Sequence, residues 1–326
     1  MPIMTAYIRL TLIAALIFFS NGQGTAAGVM HSHNNELHRE READGAYSPR
    51  DRGHYSDSGE HNTAFDHEAI IGSHSEAEEF DSLPPEKAKE RLGILLKKMD
   101  LNGDSNIDRR ELKAWILRSF RMLSEEEAAE RLGDVDEDHD GFVTWEEYKI
   151  DTYDTEEEQN SNLIDDDKTI WNAADTNKDG KLDLKEFTIF THPEEHSSML
   201  PIFLDQTLRD KDKNNDGSID FQEYVGNSAK DHDKNWLTEQ KHSFDHDYDK
   251  DKDGKLTGSE ILSWIVPSNE EIAEEEVDHL FSESDEDHND LLSFGEVLEH
   301  YETFVGSEAT DYGDHLYKVH HFPDEL

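Results

Sequence analysis

Between residues 100 and 296 one arrangement of oxygen-bearing side chains occurs six times. An Asp is followed at alternate positions by two further Asp or Asn residues, and a Glu closes each segment at its twelfth position. Hard oxygen donors in this density suit calcium, which takes about 6–8 oxygen ligands. Positions 1, 3 and 5 supply side chains, position 7 a backbone carbonyl and position 12 a bidentate carboxylate. A Gly at position 6 allows the φ > 0 turn that reverses the loop. The pattern D-x-[DN]-x-[DN]-G-x5-E is that of an EF-hand.

Four segments match it fully. The second loop offers Asp136, Asp138, Asp140, the Phe142 carbonyl and Glu147. The third offers Asp175, Asn177, Asp179, the Lys181 carbonyl and Glu186. The fourth offers Asp212, Asn214, Asp216, the Ser218 carbonyl and Glu223, and the fifth Asp249, Asp251, Asp253, the Lys255 carbonyl and Glu260. Two segments depart only at position 6. The first carries Ser105 there and offers Asp100, Asn102, Asp104, the Asn106 carbonyl and Glu111. The sixth carries Asp290 there and offers Asp285, Asp287, Asn289, the Leu291 carbonyl and Glu296. Alternative registers fail. A fifth loop starting at Asp247 would put Lys252 at position 6 and Gly258 at position 12.

A second signature is independent of the ligands. Position 8 is Ile107, Val143, Leu182, Ile219, Leu256 and Leu292, apolar in all six loops. EF-hand loops work in pairs, joined by a short β-bridge at this position. Apolar residues also flank the loops at i, i+3, i+4 spacing, as with Leu92, Leu95, Leu96 and Met99 before the first. The regular period implies one repeated helix-loop-helix unit. The expected fold is therefore all-α, with six such units in three pairs. Pairing in chain order predicts modules at 82–155, 156–228 and 229–305.

Composition sharpens this reading. The 326 residues carry 31 Lys and Arg against 78 Asp and Glu, a formal charge of −47. Such a chain repels phosphate and anionic headgroups, which excludes nucleic acid as a partner and disfavours a charged membrane surface. Cys is absent, so there is neither a disulfide framework nor a thiolate site. Residues 1–27 read as a secretory signal, with Arg9 ahead of an apolar run from Leu10 to Phe19 and small residues after it. No later stretch approaches spanning length, so no membrane insertion is expected after signal cleavage. Residues 28–81, rich in acid and in His31, His33, His38, His54, His61, His67 and His74, read as a disordered linker. Their wide spacing, without an i, i+4 pair, argues against a preorganised zinc or copper site. Residues 306–326 form a tail ending Pro323-Asp324-Glu325-Leu326, which resembles a retrieval signal of the endoplasmic reticulum.

The combination of signal, six EF-hands, absent Cys and retrieval-like ending resembles the CREC family, the reticulocalbins and calumenins. The segment Phe190-Thr191-His192-Pro193-Glu194-Glu195 looks like the family's His-Pro-Glu-Glu turn, and Phe304–Gly313 like its C-terminal block. The resemblance implies a calcium-binding protein of the secretory-pathway lumen, with client proteins and a retrieval receptor as partners and no catalysis.

The expected function is calcium buffering in the lumen of the endoplasmic reticulum, with folding coupled to the metal. The alternative is a calcium-dependent chaperone or partner-binding module. Only Met99, Met122 and Met199 lie within the predicted fold, too few for a Met-rich sensor groove. An enzyme is not expected: His139 and His288 fall at loop position 4, and no nucleophile, phosphate-loop or zinc-protease motif occurs.

Overall fold

In a computed structural model, residues 46–52, 54–55, 61–153, 161–230 and 232–306 are described. Residues 1–27, read as a secretory signal, residues 28–45 and the tail beyond Gly306 lie outside them. Two helices, α1 (Thr63–Ile71) and α2 (His74–Asp81), precede the hands. The first hand is α3 (Pro85–Met99), its loop and α4 (Arg109–Val135), and α4 continues directly into the second loop, which exits through α5 (Trp145–Tyr153). The third hand uses α6 (Ser161–Ala174) and α7 (Leu184–Thr191), the fourth α8 (Leu200–Lys211) and α9 (Phe221–Val225). The fifth uses α10 (Lys234–Ser243), extended by a π-turn at Phe244–Tyr248, and α11 (Gly258–Ile265). The sixth uses α12 (Asn269–Ser284) and α13 (Phe294–Glu299), with α14 (Tyr301–Phe304) after it.

Part of the segment read as a disordered linker is folded. Its average polarity conceals a stripe of Phe65, Ala69, Ile70, Ile71, Ala77 and Phe80, all buried against the first hand and α12. Asn62 and Ser73 cap the two helices through their side chains, and Gly72 ends α1 in the left-handed conformation at φ 75°. Residues before α1 are anchored as well: the Tyr47 N–H donates to the Ile265 carbonyl at 2.9 Å, and its ring packs 5.0 Å from Phe203.

The six position-8 residues are buried and form the short bridges anticipated for them. The partners differ from those expected. Strand β1 (Asn106–Ile107) pairs with β6 (Leu292–Ser293), β2 (Val143–Thr144) with β3 (Lys181–Leu182), and β4 (Ile219–Asp220) with β5 (Lys255–Leu256). Loops therefore pair 1–6, 2–3 and 4–5, not 1–2, 3–4 and 5–6. The reason lies in α4. Its 27 residues contain no Pro and span roughly 40 Å at 1.5 Å per residue, whereas paired strands stand about 4.8 Å apart. Loops 1 and 2 sit at opposite ends of one rod and cannot meet.

Two apolar cores result. One joins α1–α3, the first half of α4, α12–α14 and the bridge Ile107↔Leu292. The other gathers hands two to five together with Tyr47 and Val135. Between them sits a buried polar node on the C-terminal half of α4. Glu127 accepts from His192 Nε2 at 2.7 Å, His74 Nε2 at 3.1 Å and Arg50 at 3.4 Å. Arg50 also reaches Glu195 at 3.0 Å, and Glu195 accepts from Ser124 and Asn269. The His-Pro-Glu-Glu turn thus ties the third hand to α4 and to the N-terminal arm. Burial alone would raise the Glu127 pKa, but His192, His74 and Arg50 hold it well below the usual carboxylate range. Hydrogen bonds to Glu127 and Glu68 push His74 up to about 10.

The bridge pairing is checked by double-mutant cycles in urea melts of the calcium-loaded chain. Ile107→Ala and Leu292→Ala should each cost about 2–5 kcal/mol and couple by at least ~0.5 kcal/mol, while Ile107→Ala and Val143→Ala should add. Equal coupling in both pairs would contradict the 1–6 bridge. The node has its own pH signature. Stability from the raised His74 is complete below about pH 6.5 and fades as pH rises through about 10; that from depressed Glu127 is present above about pH 4.5 and fades below it. The stability difference between the native chain and Glu127→Gln should accordingly narrow as pH approaches 10. The alkaline arm is the one to measure, because it follows His74.

Candidate metal centres

All six loops are built on one hydrogen-bond scaffold. The position-1 Asp accepts the backbone N–H groups of positions 5 and 6: Asp104 and Ser105 onto Asp100 at 3.2 and 2.9 Å, Asp140 and Gly141 onto Asp136 at 3.2 and 2.8 Å, and Asn289 and Asp290 onto Asp285 at 3.1 and 3.0 Å. Asp175, Asp212 and Asp249 do the same in the remaining three. The position-5 side chain accepts the N–H of position 7 in every loop, at 2.8–3.0 Å. The residues so held, Asn106, Phe142, Lys181, Ser218, Lys255 and Leu291, are those whose carbonyls are the candidate position-7 ligands.

The closing Glu is fixed from both sides. It is the third residue of its exiting helix and returns to the N–H of position 9, which caps that helix, as with Asp108 and Glu111 or Asp183 and Glu186. In loops 1, 3, 4 and 5 the same carboxylate accepts N–H groups of positions 2 and 3: Leu101 and Asn102 onto Glu111, Thr176 and Asn177 onto Glu186, Lys213 and Asn214 onto Glu223, Lys250 and Asp251 onto Glu260. In loops 2, 5 and 6 the carboxylates of positions 1, 3 and 12 all lie within 4.8 Å of one another: Asp136, Asp138 and Glu147; Asp249, Asp251 and Glu260; Asp285, Asp287 and Glu296. Loops 1, 3 and 4 carry the neutral Asn102, Asn177 and Asn214 at position 3. Like charges this close repel, and the donor set fits a hard divalent cation.

The two departures at position 6 adopt the same turn as the glycines. Ser105 has φ 67° and Asp290 φ 62°, beside 80–86° at Gly141, Gly180, Gly217 and Gly254. Both lie in loops that pair with each other, and Asp290 uses its side chain across that pair, on Arg109 at the start of α4. The sequence reading missed position 4, which is left-handed in every loop: Gly103, His139, Lys178, Asn215, Lys252 and His288, with φ between 55° and 77°. His and Asn at this offset are the residues that tolerate that region, a signal that was present. The first loop thus has its Gly at position 4 instead of 6. In the other two loop pairs a Lys at position 7 reaches the partner's position-5 Asp, Lys181 to Asp140 at 3.3 Å and Lys255 to Asp216 at 2.6 Å.

A family model described as an EF-hand domain pair matches residues 164–227 and 241–302. The chain is 38% identical over 285 residues to reticulocalbin-2 of Crotalus adamanteus, covering 82% of this chain and 93% of that protein. It is 37% identical to reticulocalbin-2 of Mus musculus, over 82% and 89% of the two chains. Reticulocalbin-3 of Rattus norvegicus is 36% identical, over 81% and 85%.

The left-handed serine yields a test. A non-Gly residue there costs roughly 1–2 kcal/mol, partly offset by the greater chain freedom that Gly loses. Ser105→Gly should therefore stabilise the calcium-loaded chain by about 1 kcal/mol in thermal denaturation. Asp290→Gly should gain less, since it also removes the Arg109 contact.

Proposed function

The chain belongs to the CREC family, the reticulocalbins and calumenins, and from that premise we propose that all six loops are calcium sites whose filling drives the folding of a luminal buffer. That it is a calcium-binding EF-hand protein of the secretory pathway follows from its kinship and from the matched hands. The reading without catalysis rests on the same kinship with reticulocalbins. The proposal concerns which residues bind and what binding does.

The observation that carries it is that the position-1 and position-5 side chains hold the same backbone N–H groups in all six loops, including the two that lack Gly at position 6. The ligands would be Asp100, Asn102, Asp104, Asn106 and Glu111 in the first loop and Asp285, Asp287, Asn289, Leu291 and Glu296 in the sixth. Between them lie Asp136, Asp138, Asp140, Phe142 and Glu147; Asp175, Asn177, Asp179, Lys181 and Glu186; Asp212, Asn214, Asp216, Ser218 and Glu223; and Asp249, Asp251, Asp253, Lys255 and Glu260. The residues at position 7 act through their carbonyls. Calcium supplies the charge that lets these carboxylates share one small volume, so binding energy becomes folding energy. Six ions would bring the formal charge from −47 to about −35.

Buffering is favoured over switching by the apolar surface. Met99 and Met199 are buried, and among the described residues the exposed Tyr55, Ile94, Leu101, Met122, Ile150 and Leu184 fall on separate elements. Client proteins and a receptor for the Pro-Asp-Glu-Leu ending belong to this reading as partners, by the family's character.

Calorimetric titration at luminal ionic strength should show six calcium ions per chain, and chelation should sharply reduce helical circular dichroism. Four equivalents, or dichroism indifferent to chelator, would overturn it. An apolar-sensitive dye should respond to unfolding on chelation but should not report a groove opening between two compact states.

A further inference from the structure

Away from the calcium loops, four side chains from three parts of the chain converge on one point. His54 and His61 come from the arm before α1, Asp66 from α1 and His279 from α12. Each offers a ligand atom, and these atoms lie within 4.8 Å of one another. His54 Nε2 stands 2.8 Å from His61 Nε2 and 2.8 Å from Asp66 Oδ1. His61 Nε2 and His279 Nε2 approach Asp66 Oδ2 at 3.2 and 3.5 Å. We propose that His54, His61 and His279, through Nε2, and Asp66, through one carboxylate oxygen, form a four-coordinate site for a divalent transition-metal ion, zinc above all, separate from the six calcium loops.

Four observations carry this. First, the spacing fits. Ligands about 2.0–2.1 Å from a tetrahedral ion stand about 3.3 Å from one another; the contacts above run from 2.8 to 3.5 Å, with His54 against one Asp66 oxygen and His61 and His279 against the other, so a small turn of the carboxylate brings a single oxygen to the ion. Second, hydrogen bonding does not account for the cluster. Neither oxygen of Asp66, nor His279 Nε2, finds a partner of hydrogen-bond geometry despite these short separations. Two facing imidazole nitrogens can bond only when one carries a proton and the other a lone pair, and three converging on one carboxylate compete for it. A cation accepts a lone pair from all of them. Third, the donor set selects the metal. Three imidazoles suit zinc and its neighbours, and they are wrong for calcium, which wants six or more oxygens. Fourth, the outer surroundings fit. Asp66 is fully buried, and Glu276, 1% exposed, lies 4.0 Å from His54 Nε2, so two buried carboxylates match the charge of one dication. The other nitrogen of His279 faces the Tyr55 hydroxyl at 3.5 Å, the kind of contact that orients a ligating ring.

The spacing of these His in the sequence gave no such sign, because the site is assembled by tertiary contact. It would fasten the N-terminal arm to the helix that enters the sixth loop. In a chain without Cys it takes the part of a covalent clip.

The test is zinc titration of the full chain in saturating calcium, by calorimetry and by metal analysis after dialysis. One tight equivalent is expected. His61→Ala and His279→Ala should each weaken it at least tenfold, while a variant with His31, His33 and His38 all changed to Ala should retain it. Calcium-loaded dichroism reports whether each variant is folded. The unmutated chain supplies a second reading that needs no variant: cobalt bound in place of zinc should give the intense ligand-field bands of a tetrahedral site. Absence of a tight equivalent, weak octahedral cobalt bands, or a tight equivalent that survives His279→Ala and vanishes with the upstream histidines would each overturn the proposal.

Discussion

Twenty-seven residues of unbroken helix hold the first and second calcium loops apart, and most of the architecture follows from that separation. A loop of this type leaves one short strand edge open, and it must find a second loop to cover it. With loop 2 out of reach, loop 1 takes loop 6, and loops 2 and 3, then 4 and 5, pair across the joins between hands. The bridges place Ile107, Val143, Leu182, Ile219, Leu256 and Leu292 at the floors of the two cores. The C-terminal half of the same helix carries Glu127, where the His-Pro-Glu-Glu turn and the N-terminal arm meet.

The loops themselves were almost fully legible. Oxygen donors must alternate to converge on one ion, the closing Glu must open a helix, and position 8 must be apolar to enter a core, so each requirement leaves a mark at a fixed offset. The pairing was not legible from the same marks, because every loop offers the same bridge to every other. What decides between partners is the length and continuity of the connecting helices. The arm before the first hand was misread for a different reason. A mean over residues 28–81 hides six buried apolar side chains within 63–81, since two short helices need only one apolar face each. The Glu127 node and the cluster around Asp66 depend on residues distant in sequence, and no local pattern announces either.

Charge has two distinct fates in this chain. Around the loops it is concentrated until only a metal can make it tolerable. At Glu127 and Glu195 it is neutralised instead by Arg50 and histidines in a buried node. On the reading proposed above, the first kind makes the hands depend on the calcium around them. The second needs no metal: in the folded chain it holds the two cores in one relation through contacts among protein side chains alone.

The bridge between β1 and β6 joins the beginning of the hand array to its end. A chain delivered into a compartment from its N-terminus presents the first hand early and that hand's partner last. Until the sixth loop emerges, Ile107 lacks its bridge partner and α3 lacks the cover of α13 and α14. Hands two to five can close on one another as they appear, so their core matures first. The array is completed by its own final segment, which acts as the clasp of a ring: trimming either extremity would leave both of them undone.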